Sequence, residues 1–393
     1  MAQSDHLGIP NTVVRIFSPG ERVPVVLYAL NVVVGLNFLA SILASGYAQW
    51  LSFSLYFAFS IVVDECLGHW RATDPVAPRT GSGVGYQIVV FLIALVVVAT
   101  FVAFFVVMPS TPLFSLSWVL RVCTLGLALG ILGIPVAHEL GHRRSRFYRT
   151  ASSLMMALIW QPQFEVAHNM SHHRWVGTAN DPATARYGEN AYSFIIRSYI
   201  GGWSDALHLE RRRLRHLPLL KKFFRHRVLR RSFYYSLFSV SLLLLVPPTV
   251  VFGWLLSCAF AAALLELFNY ISHYGMQRRF SDGEYERVGF HHVWSSDYPT
   301  IRFSMLELPF HADHHVHARK HFYDLCNRTT SPQLPVSYQA LYVLALAPPF
   351  WFAVMNPLVR RHWAAMGVRE EDHQLVCEPV EKRLFGYADI EEP

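Results

Sequence analysis

Charge is missing from this chain in blocks. Residues 23–43 include no charged side chain. At 1.5 Å per helical residue such a run covers about 30 Å, the hydrocarbon thickness of a bilayer. Backbone polar groups in hydrocarbon must be satisfied within the segment, so a run of this kind folds as a helix. Five further apolar runs follow, at 50–63, 87–108, 117–137, 233–246 with 250–251, and 254–272. Charged residues are 16% of the whole chain, against roughly a quarter in a soluble domain. The expected fold class is all-α and integral to the membrane, a six-transmembrane helix bundle with a cytoplasmic histidine-rich region. A seventh apolar stretch, 338–358, is interrupted by Pro348, Pro349 and Pro357, which predicts interfacial or re-entrant packing. The expected organisation is a cytoplasmic segment over 1–22, a membrane domain over 23–335, and an interfacial helix with a cytoplasmic tail over 336–393.

Loop charge orients the bundle. The turns at 45–49, 109–115 and 247–253 carry no Lys or Arg, whereas 138–232 carries 17 of the chain's 34. Positive-inside then places both termini and both polar regions in the cytoplasm. The same rule accounts for a net charge of +7, so no nucleic-acid partner is expected. No cleavage site follows the first apolar run, which reads as an uncleaved span. The expected location is a bacterial inner membrane, or the endoplasmic reticulum in a eukaryote. None of the five cysteines forms a CxxC pair. No rubredoxin-like or iron–sulfur centre is readable, so electrons must come from another protein.

The polar regions concentrate histidine. His138 and His142 lie in HELGH, His168, His172 and His173 in HNMSHH, His311, His314 and His315 in HADHH, and His273 in NYISHYG. On a helix, residues four apart share a face and residues three apart nearly do. The pairs His138/His142 and His168/His172, and the set His311/His314/His315, are each expected to aim at one point. Nine imidazoles suit two metals with four or five nitrogen ligands each. A nitrogen-rich, carboxylate-poor shell with open positions fits iron that binds dioxygen. Copper is compatible with imidazole, but methionine clusters that favour it are missing. HELGH taken alone is also the HExxH zinc-protease pattern, with Glu139 as general base. That reading leaves the other clusters idle.

HELGHRR, HNMSHH with TANDPATAR, NYISHYGM and LPFHADHH resemble the four signature blocks of membrane-bound alkane 1-monooxygenase and its xylene monooxygenase relatives. These belong to the wider membrane fatty-acid desaturase/hydroxylase superfamily. The resemblance covers roughly residues 25–335. It implies six transmembrane helices, two non-haem iron ions held by the nine histidines, and dioxygen as co-substrate. It implies hydroxylation of an unactivated C–H bond, a terminal methyl above all, in an alkane or other hydrophobic substrate. It also implies a rubredoxin-like electron carrier with its NAD(P)H-dependent reductase. The alternative within the superfamily is a fatty-acyl desaturase or lipid hydroxylase. Two departures stand out: Ala167 and Ser272 occupy positions where alkane hydroxylases carry Glu, and Glu165 or Glu266 could supply the carboxylates instead.

Metal-ligating histidines pass their second N–H to a carboxylate or carbonyl, which fixes the tautomer. Glu139, Asp181 and Asp313 are placed to accept it, although Asp181 could equally cap a turn before Pro182 and Asp313 a helix start. His291 and His292, in GFHHVWSSD, are candidates for the same supporting shell. Trp50, Phe53, Tyr56 and Phe57 give the second run an aromatic content that could line a substrate channel. A dense basic stretch between Arg211 and Arg231 suits anionic lipid headgroups or an acidic electron carrier.

Overall fold

A computed structural model describes residues 23–68 and 83–368. Residues 1–22, His69 and the tail from 369 lie outside the described residues, as do the side chains of Phe53 and Phe57. Four described helices are long and apolar enough to cross a membrane. These are α1 (Val25–Leu43), α3 (Val84–Val107, running on to Ser110), α4 (Leu116–Gly141) and α10 (Pro248–His273). Between α1 and α3 lies α2, a helix over 48–67. Four helices follow α4: α5 (Arg146–Ile159), α6 over 164–175, the long α7 (Ala191–Arg213) and α8 (Leu219–Arg225). Next is α9 (Arg227–Leu243), which returns the chain to α10. A hairpin of β1 (Phe280–Ser281) and β2 (Glu284–Tyr285) is followed by α11 (Pro299–Ser304), α12 (His311–Val316), α13 (Tyr338–Ala345) and α14 (Pro348–Ala365).

The middle of the bundle is α4, whose apolar window is 83% buried against 33% for α1. Small residues let its neighbours approach. A Cβ on Gly130 would lie 2.8 Å from Leu264 and 3.4 Å from the backbone of Ala261, both in α10. A Cβ on Gly35 of α1 would lie 2.7 Å from Val96 of α3. Lipid gives helices no hydrophobic reason to associate, so this close backbone packing is what holds them together. The outer faces of α1 and α3 stay apolar and exposed, as at Val33, Leu36, Leu95 and Val102.

Proline placement corrects two details of the expected boundaries. Pro248 opens α10, so Val250 and Val251 belong to that helix and not to the preceding one. Pro348 likewise starts α14, where its missing N–H costs nothing, and Pro357 sits within the helix without ending it. The two C-terminal helices pack on the polar end of α10. Trp351 lies against Tyr270 and Tyr274, and Trp363 Nε1 donates to Gly275 O at 2.8 Å. They thus buttress the turn that follows His273.

Three helices contain a π-helical segment: Leu55–Phe59 in α2, Ala128–Gly133 in α4 and Ala167–His172 in α6. Such segments bond i to i+5, which widens the turn and shifts the faces beyond it. The third coincides with HNMSHH.

Candidate metal centre

The nine histidines meet at the polar ends of α4 and α10. They form two groups, within each of which every offered ring nitrogen lies within 4.8 Å of the others. His138, His142, His168, His173 and His314 make a group of five. His172, His273, His311 and His315 make a group of four. This division differs from the pairing expected on α-helical faces. His168 and His172 part company, and His168 joins His173, five residues on, because the π-helical turn of α6 brings i and i+5 to one side. Within α12, His311 and His315 share a face four residues apart, while His314 turns to the other group.

The group of five is too crowded for hydrogen bonding alone. The Nε2 atoms of His138, His142 and His168 lie 2.9, 3.2 and 3.3 Å from one another. Each ring nitrogen carries either one hydrogen or one lone pair, so three mutual contacts cannot all be hydrogen bonds. His173 Nε2 is 3.0 Å from His168 Nε2 and 3.1 Å from His314 Nε2. In the group of four, His311 Nε2 lies 3.2 Å from both His273 Nε2 and His315 Nε2. His172 Nε2 is buried with no hydrogen-bond partner among the described residues. Ligands at right angles around a metal, at nitrogen distances of about 2.1 Å, would be separated by about 3.0 Å. Tetrahedral ligands at that distance would be about 3.4 Å apart. The observed spacings, 2.9–3.3 Å, fall in the range that nitrogen ligands of a common ion would have.

Electrostatics prepares the same chemistry. Burial pushes the His142 imidazole down to about 4. Burial, and then the neighbouring imidazoles, hold His168, His173, His314, His311 and His315 well below the ordinary histidine range. All are neutral at pH 7, the form that binds a metal.

The supporting residues are more divided. Asp181 Oδ2 accepts from His172 Nδ1 at 2.9 Å and from Thr184 Oγ1 at 2.7 Å, and Oδ1 accepts from Ala183 N at 3.0 Å. It therefore caps its turn and holds an imidazole at once. Glu139 contacts no imidazole of either group, contrary to expectation. It pairs with Arg143 one turn on, and His321 Nδ1 lies 3.7 Å away. Asp313 also turns from both groups. It binds His317 Nδ1 at 2.9 Å, Arg328 at 2.9 Å and Lys320, and receives Cys326 N at 3.1 Å. That cluster outweighs burial and holds its carboxyl below the usual range. Lysine and arginine offer charge-assisted bonds that a neutral imidazole cannot match, which explains both diversions.

His291 and His292 lie in a separate cluster with Glu286. His292 Nδ1 accepts from Gly289 N at 2.8 Å, so the ring hydrogen sits on Nε2 and points at Glu286 Oε1, 3.0 Å away. Both nitrogens are committed, which makes His292 a clamp for its own loop and not part of the centre's supporting shell. Of the proposed channel aromatics, Tyr56 is buried against Phe38 and Trp50 is exposed. Ser272 bonds Phe268 O and the Tyr338 hydroxyl.

A buried clamp escaped the sequence reading. Leu306 and Glu307 both adopt positive φ, at 52° and 56°, in the turn that leads to His311. Arg302 Nε donates to Glu307 Oε2 at 2.7 Å, and Tyr28 of α1 donates to Oε1 at 2.6 Å. The clamp holds a backbone that L-residues avoid, and ties the first span to the HADHH segment. Its only trace in the sequence is an Arg and a Glu five residues apart.

Comparison with known proteins bears on what such a centre is for. A family model described as fatty acid desaturase matches residues 116–342. The chain is 32% identical over 344 residues to Alkane 1-monooxygenase 2 of Pseudomonas aeruginosa, an alignment covering 83% of this chain and 86% of that protein. The chain belongs to the alkane 1-monooxygenase family. It is also 37% identical over 274 residues to Alkane 1-monooxygenase 1 of the same organism, 68% of each chain. Similarity extends to the xylene/toluene monooxygenase hydroxylase component of Pseudomonas putida, 30% identical over 63% of this chain and 68% of that one. Membership of this family makes the chain a membrane oxidoreductase of the monooxygenase class. HELGH is accordingly one block of a shared histidine centre and not a protease motif, since His138 and His142 face three further imidazoles.

Proposed function

We propose that the two histidine groups hold two iron ions, five imidazoles on one and four on the other. The centre would use dioxygen to hydroxylate the terminal methyl of an alkane or a similar hydrophobic molecule, giving a primary alcohol. The observation that carries this reading is the convergence of nine imidazoles, six buried and three half-buried, at the foot of two membrane-crossing helices. Imidazole-rich sites with open positions suit iron that binds dioxygen, and iron would supply the dioxygen chemistry once bound. The chain's own part is positional. The histidine rings are held neutral, water is excluded by burial, and an apolar substrate reaches the centre from the bilayer side, aimed at one carbon.

On this reading α2 and α9 complete a six-span bundle. The histidines then lie on the cytoplasmic side, in keeping with the Lys and Arg of the polar segments. Electrons would come from a rubredoxin-like carrier and its NAD(P)H-dependent reductase, since no redox cysteine pair is present in the chain. A bacterial inner membrane fits this arrangement. Asp181 would fix the His172 tautomer from outside the ligand set.

The deciding experiment is elemental analysis of the purified full chain beside His273→Ala, joined to octane and xylene turnover with an added rubredoxin and reductase. Two irons in the wild type, fewer in the variant, and oxygen-dependent alcohol formation are expected. One zinc per chain, unchanged in the variant, would overturn the reading.

A further inference from the structure

A carboxyl inside a membrane-crossing helix is costly, and calls for a function with a named partner. Glu266 is such a group. It precedes His273 by seven residues on α10, about 10 Å deeper along the axis. Seven residues are close to two full turns, so it shares the His273 face. Glu266 is 8% exposed. Ser198 Oγ donates to its Oε2 at 2.5 Å, and Asn269 Nδ2 lies 3.4 Å from the same oxygen. Both partners are neutral, and no Lys or Arg pairs with it among the described residues.

Glu266 opens onto a cleft of mixed character, whose polar wall it shares with Gln161, Gln163, Asp205 and Asn269 and whose remainder includes Phe164, Pro182 and Leu265. His168 and His172 bound the same cleft. One belongs to the group of five and the other to the group of four, so the cleft reaches the seam between them. Gln163 is 5% exposed, and its Oε1 has no hydrogen-bond partner among the described residues. A buried amide oxygen left unpaired is costly unless water serves it. Ala167 contributes only a methyl group to this wall. The other carboxyls are committed: Asp181 to His172 and Thr184, and Asp205 to Ser171.

We propose that this water-holding cleft is the proton inlet of the centre, with Glu266 as the group that passes protons inward. The proposal rests on the monooxygenase reading above. One dioxygen, one C–H bond, two electrons and two protons give one C–OH and one water. The external one-electron carrier supplies the electrons. Burial that excludes bulk water also blocks protons, which therefore need a route of their own. Glu266 gives its carboxyl proton to cleft water beside the imidazoles and regains one from the water outside, ending each cycle as it began.

The test uses the full chain in lipid nanodiscs, loaded with iron, as wild type, Glu266→Gln, Glu266→Asp and Ser198→Ala. Glu266→Gln is expected to keep its metal content and lose about a hundredfold or more in turnover, within the range for a general acid. Reducing equivalents should escape as hydrogen peroxide, the solvent deuterium effect should change, and Glu266→Asp should recover part of the rate. A readout independent of turnover is the infrared band of a protonated carboxyl, which should shift in D2O and be missing from Glu266→Gln. A loaded Glu266→Gln with wild-type rate and coupling would overturn the proposal, as would a wild type without that band. If Glu266→Gln fails to load metal, Ser198→Ala decides: a slowed, uncoupled enzyme supports the inlet and an unchanged one refutes it. A wild type that hydroxylates nothing under any supply of electrons would sink the monooxygenase reading itself, and the infrared band would still report on Glu266.

Discussion

Asp181→Asn is the sharpest probe of how the group of four is built. Asp181 is 3% exposed, and its carboxylate bonds His172 directly. Three bonds fix its orientation: from Ala183 N, Thr184 Oγ1 and His172 Nδ1. Asparagine would keep the Ala183 bond through its oxygen and turn its NH2 toward His172. Nδ1 would then accept, and the ring hydrogen would move to Nε2, the atom that faces His273, His311 and His315. A protonated Nε2 cannot ligate, and restoring the tautomer leaves an N–H against an N–H. Substitution of such an outer partner weakens metal binding about 10–100-fold, or roughly 1.4–2.8 kcal/mol. The loss of one charge-assisted hydrogen bond, about 1.5–3 kcal/mol, agrees. Competition with a chelator, followed by metal counting, should show one of two ions leaving first. Thr184→Ala serves as a control that removes a neighbour without touching the tautomer. If Asp181→Asn binds both ions as tightly as wild type, the tautomer argument is wrong.

Other perturbations test separate parts of the structure. Arg302→Met leaves Glu307 charged, buried and without its cation, at a cost of about 3–5 kcal/mol; the double variant Arg302→Met/Glu307→Leu should unfold at a higher temperature than Arg302→Met, and a double variant no better than the single one would contradict the ion-pair account. Gly130→Val presses a side chain onto Leu264 and the Ala261 backbone, so thermal unfolding in detergent should register about 1–3 kcal/mol of overpacking. Glu210 offers a pH test. Burial raises its carboxyl, but hydrogen bonds from Arg213 and Arg227 outweigh that and bring it from 4.5 to about 2. An acid depressed in the fold stabilises it above the unfolded value, so up to about 3 kcal/mol should be lost as pH falls from 4.5 toward 2. The acid-unfolding difference between wild type and Glu210→Gln measures it, and parallel curves would refute it.

Four of the six expected spans were legible as long apolar helices, because hydrocarbon allows few solutions. A run such as 87–108 has one stable form, and its helix, Val84–Ser110, overshoots the run by only a few residues. The apolar run at 233–246 was harder to place. Its residues as far as Leu243 belong to α9, a helix that begins at Arg227, residues 244–246 form the turn after it, and the proline pair at 247–248 assigns Val250 and Val251 to the next helix. Composition could not show this, because a hydropathy window averages across a proline that the backbone cannot ignore. Nor could it show Arg302 and Glu307 meeting Tyr28, because that contact joins residues 279 positions apart.

The histidine centre was legible as a set and illegible as a partition, for a single physical reason. Spacing arguments assume 3.6 residues per turn, and α6 departs from that over the residues that matter. With an α-helical turn, His168 and His172 would face one group. The π-helical turn at Ala167–His172 gives His168 and His173 to one group and His172 to the other. One segment therefore supplies both groups, and α12 does the same through His314 on one side and His311 with His315 on the other. The α4 pair and the single histidine of α10 each serve one group. Two shared segments facing two unshared ones fix the spacing between the groups through short local backbone. A single-residue insertion in α6 should uncouple the groups while leaving every histidine present. Metal content falling from two toward one, with the bundle still folded, would show that the turn and not the count of imidazoles sets the pair; two ions bound with full activity would show the reverse.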